Sequence, residues 1–375
     1  MGPRPEGGES EGPILKIWIC FETGAPPLGW GVRRTNFDIR ILELLLKVLR
    51  IFFRAGRGFG VCLMDQIVTP RGLICSLALV PNPENRGLYL GLKPLIAHLQ
   101  QAVAGLLLDP MFWCPDANNC GPVSSSLLEE IITLVPSGLP LWVRITGTSA
   151  EQTIHICRQL ETVCRQLNYQ GPLAWVDTPL FYHSNRGLPE HYRDLLADTE
   201  FNLIADNDPL LIRKIGNKTK RKNIRTAVLK KLAQEPRLAG LVHRGDLGRG
   251  MNYQRAVRGR PNFLVYDGGE CSFLERPSAS GVVSVGANLL PQEWRTITLS
   301  SLNLDDSYPD QAGRFRHLWE SGQRVRILHK YYDHAPARII PAVLAAWKLV
   351  QKNGQPLTPE DQKAIQRILE HVPEP

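Results

Sequence analysis

PLWVRITGTSAEQTIHICRQLETVCRQLNYQGPLAWVD, residues 140–177, sets the reading of the chain. It opens with the short apolar run PLWVRIT (140–146) and closes with another, PLAWVD (172–177). Neither alternates cleanly with polar residues, which is the pattern of parallel strands covered on both faces. Between them, Ala150 to Leu167 follows a helical period that places Ile154, Cys157, Leu160 and Cys164 on one face. Ser149 stands where an N-cap belongs. The stretch therefore predicts one strand–helix–strand unit.

Working outward, the same unit repeats. Further β-rich runs lie at 73–80, 103–109, 201–206, 238–243, 262–267 and 281–286, with helical runs between them. Eight strand–helix units in about 215 residues suit a closed sheet, so the expected fold class is α/β, a (β/α)8 TIM barrel. Three more helices are expected near 310–332, 336–352 and 359–371 as a C-terminal extension, the last capped by Thr358 with Pro359 in its first turn. The expected domains are an N-terminal extension over 1–63, the barrel over 64–290, and C-terminal helices over 291–375 packing on the barrel. Residues 1–63 read as disordered or as not native, with Met64 the expected start of the protein.

Composition narrows the function classes. The hydrophobic fraction is 43% and the charged fraction 21%, ordinary values for a globular chain with a large core. The net charge of +8 allows an anionic ligand without calling for nucleic acid. The eight cysteines form no CxxC pair, and reduced thiols in a cytoplasmic protein are the simpler expectation. Cys114, Cys120 and Asp116 are too few for a metal site, and no HxH or HExxH spacing occurs. The apolar run 39–53 contains Arg40, Glu43, Lys47 and Arg50, and is too short and too charged to span a bilayer. No metal, cofactor or membrane partner is expected.

Several strands end in polar groups: Asp109, Thr146, Asp177, Asp206, His243 and Asp267. In a (β/α)8 barrel these ends face the site. Arg144 lies inside a strand, and a guanidinium there needs partners because burying it unpaired is costly. Asp177 and Asp206 are the expected partners. His243, with Arg244 and Asp246 beside it, suits a general base near neutral pH. From Arg213 to Lys231 the chain carries nine basic residues and no acid. That run reads either as capture of an anion or as a solvated face; aromatics do not interleave with it, which argues against nucleic acid.

The order of short motifs resembles the dihydrodipicolinate synthase / N-acetylneuraminate lyase family. The stretches that carry the resemblance are ITGTSAEQTIHICRQLE (145–161), DTPLFYHSNRGLPEHYRDLLADT (177–199), IADNDP (204–209), LAGLVHRGD (238–246), LVYDGGE (264–270), SGVVSVGANLLPQEW (280–294) and PLTPEDQKAIQRIL (356–369). The resemblance implies a barrel that forms a Schiff base between a strand-six lysine and pyruvate. It also implies a relay tyrosine, a threonine pair after strand two, and an assembly of identical subunits. This chain departs from each chemical element. The lysine position falls at Val242 and the tyrosine position at Asp206, and DPMFWCPDANNCG (109–121) holds no threonine pair. Tyr182 is the aromatic hydroxyl that matches a family site tyrosine, and KIGNKTKRK (214–222) resembles a lengthened carboxylate-contacting element.

No lysine falls between Pro94 and Arg213, nor between Leu232 and His329. Schiff-base chemistry needs an amine whose pKa is lowered by burial on a rigid element, and Lys214 is the nearest substitute. Three readings follow. In the first, the chain is a divergent family member that binds a small anionic metabolite through Arg144, Asp177, Asn207, Lys214, Arg244 and Asp267. In the second, it is an enzyme using His243, Asp206 and Tyr182 in acid–base catalysis. In the third, it is an active lyase with a relocated lysine.

Overall fold

A computed structural model describes residues 69–80, 89, 91–113, 122–214, 221–277, 280–304, 311–351, 356–372 and 374–375. All of them lie in the second of two units into which the chain divides, 65–375. The expected N-terminal extension and Met64 lie outside the described residues, as do Cys114, Asp116 and Cys120.

Eight parallel strands form a closed barrel in sequence order. They are β1 (Gly72–Ser76), β2 (Gly105–Leu108), β3 (Leu141–Arg144), β4 (Leu173–Asp177), β5 (Asn202–Asn207), β6 (Leu238–His243), β7 (Leu264–Asp267) and β8 (Gly281–Ser284). The helices between them are α1 (Leu92–Leu99), α2 (Pro110–Trp113), α3 (Ser125–Leu134), α4 (Ala150–Gln166), α5 (Leu188–Ala197), α6 (Pro209–Lys214), α7 (Thr226–Leu232), α8 (Leu247–Val257) and α9 (Glu270–Glu275). After β8 come α10 (Pro291–Ser301), α11 (Gln311–Tyr332), α12 (Pro336–Ala346) and α13 (Pro359–His371).

Residues 140–177 form the strand–helix–strand unit β3–α4–β4. Ser149 caps α4, its hydroxyl accepting from Gln152 N at 3.2 Å. The buried face is turned slightly from the expected one: Thr153, Ile156, Cys157, Leu160 and Cys164 are buried, and Ile154 only partly. At the far end, Thr358 caps α13 in a reciprocal capping box with Asp361.

Two apolar cores occupy the two faces of the sheet. Outward-pointing strand residues such as Leu106, Val143, Trp175 and Leu241 pack against the helices. Inward-pointing residues Ile74, Leu107, Trp142, Ala174, Val176, Ile204, Val242, Tyr266 and Val283 fill the barrel itself. Trp142 and Tyr266 meet edge to face there, ring centroids 5.0 Å apart. The ring closes where β1 pairs with β8, Gly72 opposite Gly281. A Cβ on Gly281 would lie 2.0 Å from the Gly72 carbonyl oxygen, and Gly281 has φ +142°. Only glycine meets both demands.

Polar locks hold the later helices to the barrel. Asn288 donates to Ser76 O at 2.8 Å and accepts from Ala78 N at 3.0 Å. Glu270 accepts from Gly286 N at 2.7 Å and from the Tyr332 hydroxyl at 2.7 Å, tying α9, β8 and α11 together. Among the described residues, no helix is long and apolar enough to cross a membrane.

Candidate functional site

Strand side chains alternate between faces, so the inner core fixes which residues line the barrel above it. Two positions beyond Leu107, Trp142, Ile204 and Val242 come Asp109, Arg144, Asp206 and Arg244. Thr178 follows Val176 in the same way. These five form a polar layer at the C-terminal strand ends, where sites of this architecture lie.

Arg144 is the hub. Its Nε and Nη2 donate to the two carboxylate oxygens of Asp109, both at 2.7 Å. Nη2 also donates to Asp206 Oδ2 at 2.6 Å, and Nη1 donates to the Thr178 hydroxyl. Thr178 in turn donates a hydrogen bond from its hydroxyl to Asp206 Oδ2 at 3.3 Å. All four side chains are buried. Burial opposes the Arg144 charge, but the Asp109 and Asp206 carboxylates outweigh it and hold the guanidinium pKa above its ordinary value.

Arg244 lies above this cluster, nearer solvent. Its Nη1 donates to Gly268 O at 2.7 Å. Its Nε stands 3.7 Å from Asp206 Oδ1 and 3.5 Å from Asp208 Oδ2, too far for good hydrogen bonds. Gly268 lets the side chain lie flat, since a Cβ there would fall 2.4 Å from Arg244 Cγ. Asp208 caps the start of α6, accepting from Leu210 N and Leu211 N at 2.9 Å each. Burial raises its pKa, with Arg244 pulling the other way.

The remaining expected site residues do not join this layer. Asp177 is one position short of Thr178 and points outward. It accepts from Thr146 at 3.0 Å, Tyr182 at 2.8 Å and Tyr192 at 3.2 Å. Asp177 is therefore not a partner of Arg144; Asp109 takes that place. Tyr182 faces the same outer network, with His191 Nε2 2.8 Å from its hydroxyl. Burial pushes Asp177 up to about 6. Burial, and then the stacked His183, lower His191 to about 4.

His243 also points outward, one position after Val242. Its Nε2 lies 3.1 Å from Asp246 O and its Nδ1 3.4 Å from Asn207 Nδ2. Both ring nitrogens are engaged in the barrel wall, and burial lowers its pKa. Asn207 serves that wall too, accepting from Ile224 N at 2.8 Å and donating to Asn223 at 2.9 Å. Asp267 ends β7 opposite His243, half-buried. The side chain of Lys214, at the end of α6, lies outside the described residues. Arg144, Asp206 and Arg244 are thus brought together, whereas His243, Asp177, Asn207 and Tyr182 are kept on the other face of the sheet.

Val242, where the family resemblance places the lysine, is a buried member of the inner apolar core and the register partner of Asp206. None of the eight strands contains a lysine. Among the described residues, no group of His, Cys, Asp and Glu is arranged to hold a metal ion.

Solved structures similar to this barrel include dihydrodipicolinate synthases. The enzyme from Bacteroides thetaiotaomicron matches with a TM-score of 0.62 and 19% identity, covering 80% of this chain and 98% of its own. That from Thermotoga maritima matches with a TM-score of 0.63 and 16% identity, covering 80% and 98%. The fold is that of the dihydrodipicolinate synthases. A chloride-inhibited synthase from Acinetobacter baumannii, complexed with pyruvate, gives a TM-score of 0.61 at 17% identity, covering 82% of this chain and all of its own. No protein-family model and no curated protein sequence matches the chain. The same fold is thus carried here by a sequence 16–19% identical to those neighbours.

Proposed function

We propose that this chain is a divergent member of the synthase and lyase family that binds a small polar ligand at its barrel mouth without forming a Schiff base. The carrying observation is the pair of register partners Asp206 and Val242. The family's tyrosine and lysine places hold a carboxylate committed to Arg144 and an apolar side chain packed into the inner core. Neither supplies an amine nucleophile. Acid–base catalysis by His243, Asp206 and Tyr182 together is not supported, because the three side chains lie on two faces of the sheet.

The charge balance also bears on the ligand. Among the described residues the mouth sets three carboxylates, Asp109, Asp206 and Asp208, against two guanidiniums, Arg144 and Arg244. That balance does not favour the small anion expected from the basic run after β5.

Sodium borohydride reduction in the presence of pyruvate, followed by intact-mass and peptide analysis, tests the proposal. The expected result is no covalent adduct. A pyruvyl adduct on any lysine, Lys214 included, would overturn it and favour an active lyase with a relocated amine.

A further inference from the structure

Among the described residues, Asp206 Oδ1 accepts no hydrogen bond and Arg244 Nε donates none, although both atoms are buried. Each is costly to leave in that state, because a buried polar atom loses its water without replacing it. The two face each other across 3.7 Å. The requirement is therefore double: a group that donates to the carboxylate oxygen and accepts from the guanidinium. A ligand carboxylate can accept from Arg244 but is repelled by Asp206. A ligand ammonium can donate to Asp206 but is repelled by Arg244. A hydroxyl carries donor and acceptor on one atom and suits both.

We propose that the barrel mouth recognises a hydroxyl group of a neutral polyol through Asp206 Oδ1 and Arg244 Nε. The inference rests on the reading of the mouth as a non-covalent binding site. Asp206 cannot turn away, since its other oxygen is held by Arg144 and Thr178. Arg244 is the adjustable side. Its side chain is 15% exposed, and its hydrogen bond among the described residues runs through Nη1 to Gly268 O. Arg244 follows the last residue of β6, so a change in its side chain need not unpack a strand. The carboxylate excess at the mouth selects in the same direction, for a neutral compound over its acid.

Thermal unfolding of the full chain tests this with glycerol, erythritol and xylitol at low millimolar concentration, each beside its acid counterpart (glycerate, erythronate, xylonate), and with pyruvate. At least one neutral member is expected to give a saturable rise of about 2–4 °C, with a smaller rise from its acid. Arg244→Gln should weaken that binding about tenfold. If that variant does not fold, Arg244→Lys, which keeps the charge and loses the Nε donor, makes the same test. A rise that never saturates and persists in the variant is general solvent exclusion by the polyol and overturns the proposal. So does the absence of any rise. A larger rise with an acid or with pyruvate overturns the polyol assignment while leaving non-covalent binding intact. A borohydride-trapped adduct removes the non-covalent reading itself.

Discussion

Arg144 shows how a strand guanidinium is tolerated in a barrel. Four of its five N–H groups donate, three to two carboxylates and one to a hydroxyl, and every nitrogen is used. A buried ion cluster of this kind is not itself a large source of stability, because desolvation offsets the attraction. Removing one member is another matter. Asp109→Ala is expected to cost about 3–5 kcal/mol in urea or guanidinium unfolding, since it leaves half the guanidinium uncompensated. A loss below about 1 kcal/mol would mean that the cluster is looser than its distances imply. Gly268 belongs to the same scale. Gly268→Ala puts a methyl group 2.4 Å from Arg244 Cγ and 2.9 Å from Val242 Cγ1. The expected cost is about 1–3 kcal/mol, measured by the same unfolding, with Arg244 displaced from the mouth.

At the scale of elements, Asp177 of β4 and His191 of α5 form a titrating pair, joined through the Tyr182 hydroxyl. Asp177 ionises near pH 6 in the folded protein, against 3.8 for a free aspartate. As pH falls from 6 towards 4, the folded form takes up this proton before the unfolded form does, so stability rises. His191 behaves oppositely, protonating near 4 when folded and 6.5 when free. As pH falls from 6.5 towards 4, the unfolded form is protonated first and stability falls. The two slopes oppose each other in nearly one window. Relative to wild type, Asp177→Asn should lose stability as pH drops from 6.5 to 4, and His191→Gln should gain it. Urea midpoints at three pH values in that window check both; two variants with the same slope would refute the pairing. The α13 cap is simpler: Thr358→Ala should cost about 1 kcal/mol in the same urea unfolding. Much of this scale was legible in the sequence. All eight strands fall where the apolar runs predict them, because parallel strands buried on both faces need such runs. The facing of their last residues was not read, although strand alternation contains it. Asp177 against Thr178, and His243 against Arg244, differ by one position, and one position moves a side chain through the barrel wall. Asp109 escaped pairing with Arg144 for the same reason. The expected barrel already makes β2 and β3 neighbours, and the inward facing that Asp109 shares with Arg144, two positions beyond Leu107 and Trp142, is what went unread.

On the scale of the molecule, the barrel has the fold of the synthases, and its mouth carries a polar layer centred on Arg144. This is the usual relation of a barrel to its chemistry: the strands hold the frame and the residues at their C-terminal ends set the function. Fold likeness therefore counts for less here than the five polar side chains above the inner core. The pairing of β1 with β8 has a further consequence during synthesis. The first strand of the barrel leaves the ribosome with one edge that only the last strand can cover. Until the residues of β8 emerge, seven strands wait as an open ribbon with apolar surface on both sides, and a ring joined at its two ends is slow to close. Gly281→Ala obstructs that join directly. In pulse-labelled translation it should prolong the protease-sensitive nascent state, so the narrow glycine contact at the seam governs how readily the newborn ring shuts.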